Sequence, residues 1–213
     1  MTEAVFLAFI VSFFKGHRWK VFNLFKHWSI YPIILTCLFH IYFVYLMIQG
    51  EYWFMEYAEY IKTSSLLFYF ILIYKYKLID ISMFKNINLK KYKNRQIWVW
   101  LTSPVVMGGL CIVTGSILNK IAMFYNNNKM PVFVSNSWST GYVKVNMFEK
   151  TVNYGDFHIM GDMYTKLIPI CDTWDVGYMV FSPGDLLIRM FVFLTVYYSI
   201  KQIKNNIKEY HIV

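Results

Sequence analysis

Charge is what this chain has least of. Only 15% of its 213 residues are Asp, Glu, Lys or Arg, against about 25% in an average soluble domain, which argues against an ordinary soluble protein. Cysteine is scarce too: Cys37, Cys111 and Cys171, with no Cys-x-x-Cys pair, supply neither a disulfide framework nor a zinc site. No internal repeat, coiled coil or phosphate-binding glycine loop is visible, so neither a cofactor nor a metal is expected. What the chain does have is apolar. Hydrophobic residues make up 57% of it and aromatic ones 21%, more than a core of this length needs, so part of that surface should face lipid. The net charge of +9 sits in short flanks of a hydrophobic chain and no nucleic-acid reader motif accompanies it. That pattern fits membrane topology and not nucleic acid.

Five stretches read as spans, at about 4–14, 30–48, 60–74, 97–124 and 182–200. Ile30–Ile48 is interrupted only by Pro32, Thr36 and His40, and the fourth stretch opens with Trp98 and Trp100 and carries no charge until Lys120. Both approach or exceed the roughly 20 residues that cross a hydrocarbon core. In the fifth, Arg189 sits near one end and can snorkel. Tyr60–Tyr74 is shorter, with Lys62 inside it, and spans only with help from its flanks. Ala4–Phe14 is shorter still. Glu3 precedes it and Lys15, His17, Arg18 and Lys20 follow, the reverse of a signal peptide, so a short uncleaved helix ending at Gly16 is expected.

The charges alternate as successive crossings require. Residues 15–29 hold four Lys or Arg and no acid, 49–59 hold Glu51, Glu56 and Glu59 and no base, and 75–96 hold seven bases against Asp80. The segment 125–181 has four Lys and five acids, and the tail after Ile200 has Lys201, Lys204 and Lys208 against Glu209. With basic loops inside, the N-terminus is outside and the C-terminus cytoplasmic. Within the fourth span Gly108, Gly115 and Ala122 recur every seven residues and place small side chains on one face. That face suits close helix packing, within the chain or against a membrane-protein partner or second copy.

The outer segment 125–181 is too long for a mere connector. It runs through Asn126-Asn127-Asn128-Lys129-Met130-Pro131-Val132, His158, a Thr165-x-Leu167 step toward Cys171-Asp172, and then Ser182-Pro183-Gly184-Asp185-Leu186-Leu187. This succession, with the apolar opening, Gly16-x-Arg18 and a second span after Trp28, resembles an uncharacterised bacterial membrane-protein family, domain-of-unknown-function family number 5317. The resemblance extends over essentially the whole chain. Asn128 stands where that family tends to carry Gly, and Asn also tolerates left-handed backbone. Arg189 falls where small or apolar residues are usual. The resemblance implies a polytopic bacterial membrane protein and brings no known activity.

Chemistry-bearing residues are few. Asp172 and Asp185 flank a segment that returns to the membrane surface, and two carboxylates held together can share a proton and activate water. Their order is similar to that of the catalytic aspartates in lipoprotein signal peptidases, without the Asn and Arg companions of that family in register. Against this, Ser182 can cap the fifth helix with Pro183 at its first position and Asp185 reaching back to the Ser182 N–H. Asp172 can likewise cap or close a turn. His158 and Asp162, four residues apart, would share a face of a helix but make only two metal ligands. His40 lies at membrane depth, where Thr114 or Ser116 could bond it. Cys171 is a conceivable nucleophile without a base beside it.

The expected fold is therefore all-α: one membrane domain over residues 1–213, a bundle of about five transmembrane helices with the first short. Its long ordered extracytoplasmic loop should contain short helices or a re-entrant piece. The expected location is the bacterial cytoplasmic membrane. The leading function is that of a non-catalytic accessory or interaction protein whose outer loop meets a partner or lipid. An intramembrane aspartyl hydrolase using Asp172 and Asp185 is the alternative. A small-solute carrier or channel lined by His40 and the Gly108 face is the third reading, weakened by few intramembrane polar residues.

Overall fold

The computed structural model describes residues 1–78, 103–144 and 147–203, apart from the side chains of Glu59 and Lys62. Helices α1 (Thr2–Phe14), α2 (Arg18–Leu24), α3 (Tyr31–Gln49), α4 (Met55–Lys75), α5 (Pro104–Tyr125) and α8 (Pro183–Gln202) form a bundle. Between α5 and α8 lies a folded segment of two very short helices, α6 (Asn136–Ser139) and α7 (Met147–Val152), and four short strands. The fold is mostly helical, as expected, and among the described residues three helices are long and apolar enough to cross a membrane: Trp28–Gln49, Pro104–Tyr125 and Pro183–Gln202.

The other two expected spans are helices as well, the first short as expected, but neither is among these three. Helix α1 has only 13 residues, about 20 Å at 1.5 Å each. Helix α4 is longer than expected, and takes in residues 55–59 that had been assigned to an acidic loop. Glu56, Glu59, Lys62 and three consecutive hydroxyl residues occupy its first half, which keeps it outside the apolar set despite its 21 residues. The basic turn 15–29 also folds, into α2 and a turn of 3-10 helix at Trp28–Ile30. The start of the expected fourth span, with Trp98 and Trp100, lies outside the described residues, as do most of the basic stretch 75–96 and Lys204 and Lys208 in the tail.

Helix α8 is the hub. Its Phe191, Val192, Val196 and Ile200 are buried in one core with Ala8 of α1, Leu24 of α2, Ile33 of α3 and Tyr69 and Leu72 of α4. The opposite surfaces stay apolar and exposed, with Phe6, Ile10 and Phe14 on α1, Leu35 and Leu38 on α3, and Leu110, Val113 and Ile117 on α5. A bundle with this outer surface suits hydrocarbon better than water.

Helix α5 packs on α8 through the expected small face. Gly108, Gly115 and Ala122 are all buried, and a β-carbon at Gly115 would strike the Gly184 carbonyl oxygen and stand 3.1 Å from Leu187 and Ile188. That face is thus occupied by α8 of the same chain.

The helix ends gather at two poles. Glu3, the start of α4, the end of α5 and the start of α8 lie with the folded segment, where Glu3 approaches Arg189 and Lys144 Nζ would stand 3.3 Å from a β-carbon on Gly50. At the other pole Lys20 Nζ donates to the Lys201 carbonyl (2.8 Å) and Lys75 Nζ donates to Ser29 Oγ (3.2 Å).

Candidate functional site

The segment between α5 and α8 starts from the Asn-rich turn. Asn127 and Asn128 both adopt left-handed backbone, with φ of 55° and 58°, a conformation that Asn accepts more readily than other side chains. The Asn128 N–H closes on the Met123 carbonyl (2.8 Å) and ends α5. The Asn126 carboxamide ties that helix end to the loop: its Nδ2 donates to the Ala122 and Lys166 carbonyls and its Oδ1 accepts from the Lys166 N–H (2.9 Å).

The chain then runs as strand β1 (Met130–Val132), fully buried, and β2 (His158–Met160) pairs with it in parallel, Met130 opposite His158. Asp172 flanks β1 on its other side, where its N–H donates to the Pro131 carbonyl (3.1 Å) and its own carbonyl accepts from the Phe133 N–H (2.8 Å). Pro131 has no N–H to offer a ladder, and only its carbonyl is used here. These strands were not expected. They are short runs whose pairing joins residues about thirty to forty positions apart, which no local period announces.

The pairing brings His158 between two buried acids. Its Nδ1 meets Asp156 Oδ1 at 2.5 Å and its Nε2 lies 3.7 Å from Asp172 Oδ2, while the ring stacks on Phe157 at a centroid distance of 4.5 Å. Burial alone would raise the Asp156 carboxyl, but the hydrogen bond and charge of His158, with help from Thr151 and the His158 N–H, hold it below the usual carboxylate range. With a carboxylate at each ring nitrogen, the imidazole serves as a clasp between β2 and the Asp172 bridge. The His158–Asp162 pairing does not form. His158 lies in a strand, and Asp162 instead closes its own turn, accepting from the Tyr164 N–H (2.9 Å) and Thr165 Oγ1 (3.1 Å). No cluster of three or more metal-ligating side chains occurs among the described residues.

Cys171 is fully buried and its thiol points to the Lys166 and Leu167 carbonyls. Burial, then the neighbouring Asp172 charge, push it above the ordinary thiol value, the opposite of what a nucleophile needs.

Beyond Asp172 the short antiparallel pair β3 (Trp174–Asp175) and β4 (Val180–Phe181) leads into α8. Ser182 caps that helix, its Oγ accepting from the Asp185 N–H (3.0 Å), with Pro183 in the first turn. The Asp185 carboxylate, expected to return the favour to Ser182, is instead turned across the helix pair: Oδ1 accepts from Asn119 Nδ2 (2.9 Å) and Oδ2 lies 3.6 Å from Arg189 Nη1. Asn119 Oδ1 in turn accepts from Ser182 Oγ (2.8 Å).

Arg189 does not snorkel to water. Its guanidinium lies over the Phe181 ring, reaches the Met179 sulfur, and has Glu3 Oε2 3.9 Å from Nε. His40 is not set against α5. Thr114 is exposed, and His40 lines a cavity among α1, α3, α4 and α8 together with Thr36, Ser65, Asp185 and Arg189.

Asp172 and Asp185 are therefore held by different partners, the first by His158 and the second by Asn119 and Arg189. Two residues of these networks escaped the sequence reading, and Glu3 was read only for its charge ahead of the first apolar run. Asn119 lies four positions after Gly115 on the small face, and Asp156 two before His158. Asn119 was the more accessible, since its helical spacing already places a polar group on the packed face.

Residues 94–197 match the model of DUF5317, a family of unknown function. This is the family that the residue pattern resembles. The matched stretch takes in α5, the Asn-rich turn, the His158 clasp and most of α8 with Asp185 and Arg189. Gly16-x-Arg18 and Trp28, expected to share in the resemblance, lie ahead of it. No curated protein and no solved structure matches the chain.

Proposed function

We propose that this DUF5317-type chain is a multi-pass, non-catalytic interaction protein of the bacterial cytoplasmic membrane, with its folded segment on the outer face and its C-terminus in the cytoplasm. One observation carries the interaction reading. Met163 and Tyr164 are 86% and 82% exposed on a turn that Asp162 and Thr165 hold rigid. Two large side chains held in the open by that turn are a contact surface in search of a partner. The orientation rests on the basic loops. Apolar helices with greasy outer faces support the membrane reading.

A Cys placed at Met163 should react with a membrane-impermeant maleimide in intact cells and one placed at Lys91 should not. Labelling at Lys91 overturns the orientation. A photo-crosslinker at Tyr164 should give a discrete protein adduct that Met163→Asp abolishes; adducts to lipid alone would make the outer face a lipid contact instead. The hydrolase alternative, with Asp172 and Asp185 converging on water, gains no support from the separate partners of the two aspartates.

A further inference from the structure

Two hollows in the bundle share a wall. One is a cavity of about 210 Å³ lined by His40, Ser65, Tyr69, Asp185 and Arg189 among others. The other is an open groove of about 940 Å³ between α3 and α4 on the outer surface, lined mostly by apolar side chains such as Leu35, Leu38, Phe39 and Phe68. Thr36 and Ile61 line both. Thr36 and Ile61 thus stand between a chamber that holds charged groups and an apolar furrow that would face lipid.

The chamber offers both signs of charge. Arg189 Nε is buried and has no hydrogen-bond partner among the described residues. The carboxylate oxygens beside the guanidinium, Glu3 Oε2 at 3.9 Å and Asp185 Oδ2 at 3.6 Å, stand beyond hydrogen-bond reach. A buried N–H in that state is costly and calls for an acceptor. A simple anion would meet the Asp185 carboxylate, Glu3 being already held by the Met1 ammonium at 3.0 Å, and a simple cation would meet the guanidinium. A group that carries an oxyanion and an ammonium together answers both, and the furrow accommodates a chain attached to it.

We propose that the chamber binds the zwitterionic headgroup of an amphiphile, its oxyanion on Arg189 and its ammonium toward Asp185, with the apolar chain leaving past Thr36 and Ile61 into the α3–α4 furrow. The proposal rests on the membrane reading above.

The test uses the full chain, purified in detergent, and compares lysophosphatidylethanolamine, lysophosphatidylglycerol of the same chain length and free phosphoethanolamine by native mass spectrometry. The ethanolamine lipid should bind about tenfold tighter than the glycerol lipid, the ratio of one charge-assisted contact, and free phosphoethanolamine should bind far more weakly than either. Equal binding of the two lipids overturns the proposal, and free phosphoethanolamine binding as tightly as its lipid overturns the role of the furrow. Arg189→Gln should erase the preference; a preference that survives it overturns the assignment. Should Arg189→Gln fail to fold, Leu35→Trp decides, because Leu35 is half exposed and its replacement fills the furrow without touching the core. It should lower lipid binding about tenfold, and unchanged binding refutes the furrow. Release of the protein from membranes by alkaline washing would defeat the membrane reading instead, whereas retention without headgroup preference defeats only this inference.

Discussion

Gly184 and Asn119 fit as a notch and the group that fills it: a β-carbon at Gly184 would overlap Asn119 Oδ1 and stand 2.6 Å from the Gly115 carbonyl oxygen. Asn119 bridges Ser182 and Asp185 from that position, so the start of α8 is held to α5 by close backbone approach and a polar bridge together. Gly184→Ala should cost about 1–3 kcal/mol by overpacking, and Gly115→Ala a similar amount. Gly109, with nothing within 4 Å of its added β-carbon, is the control: Gly109→Ala should leave the melting temperature in detergent unchanged or slightly higher, as a helix favours Ala. Equal effects at all three positions would refute the notch.

His158 stands between two acids that are 3% and 6% exposed. Removing it leaves both acids buried without the ring nitrogens that face them. His158→Ala should therefore destabilise the outer segment by about 1–3 kcal/mol, the cost of leaving a buried polar group without its partner. The helices below should persist, since the clasp touches none of their core. Limited proteolysis should cut first within 145–170 while the bundle resists. A double-mutant cycle with Asp156→Ala should give a coupling above about 0.5 kcal/mol; full additivity would dismiss the clasp.

The bundle was legible where one period dominates. The second and fifth spans are continuous apolar runs, and Gly108, Gly115 and Ala122 declared their buried face by spacing alone. Asn128 was legible for a local reason, its tolerance of left-handed backbone. The outer segment was not. Its strands are two or three residues long, and the groups that matter meet through pairings such as Val132 with Asp172, forty positions apart. His158 was singled out but given the wrong mate, because i, i+4 geometry presumes a helix where the chain is extended. Arg189 looked like a snorkelling residue since nothing in its own helix shows that Glu3 and Phe181 converge on it.

Asp175 carries the clearest dependence on acidity. Its carboxylate accepts from the Ser135, Ser137 and Gly177 N–H groups at 2.7–2.8 Å and from the Ser137 hydroxyl. Partial burial opposes ionisation, but these bonds prevail, chiefly the one from Ser137, and hold the carboxyl down to about 2. A carboxyl depressed in the folded state binds its proton more readily when unfolded. The stability it supplies is therefore complete above pH 4 and lost as pH falls from about 4 toward 2. With allowance for solvent screening this amounts to about 1–2 kcal/mol. Amide exchange at Ser137 and Gly177 should accelerate across that window, and Asp175→Asn should exchange fast throughout with no such step. An unchanged pH profile in the variant would remove Asp175 as its source.

Asp172 and Asp185 provide the sharpest separation between a structural and a catalytic chain. Asp172 closes the His158 clasp at the edge of β1, and Asp185 anchors Asn119 and Arg189 at the mouth of α8. The contacts described for the two aspartates are different, His158 for one and Asn119 and Arg189 for the other, so their effects on stability should add. Asp172→Asn and Asp185→Asn should each destabilise by about 1–3 kcal/mol through lost charge-assisted bonds, and the double variant should show the sum within about 0.5 kcal/mol. A catalytic dyad behaves otherwise, since either loss disables the pair and the second adds little. Measured on the cellular phenotype, a hydrolase would lose everything with either substitution even where the protein remains folded. Here an Asp172→Asn variant that still folds should retain function in proportion to its abundance in the membrane. A folded, fully abundant Asp172→Asn protein without function would overturn the structural reading.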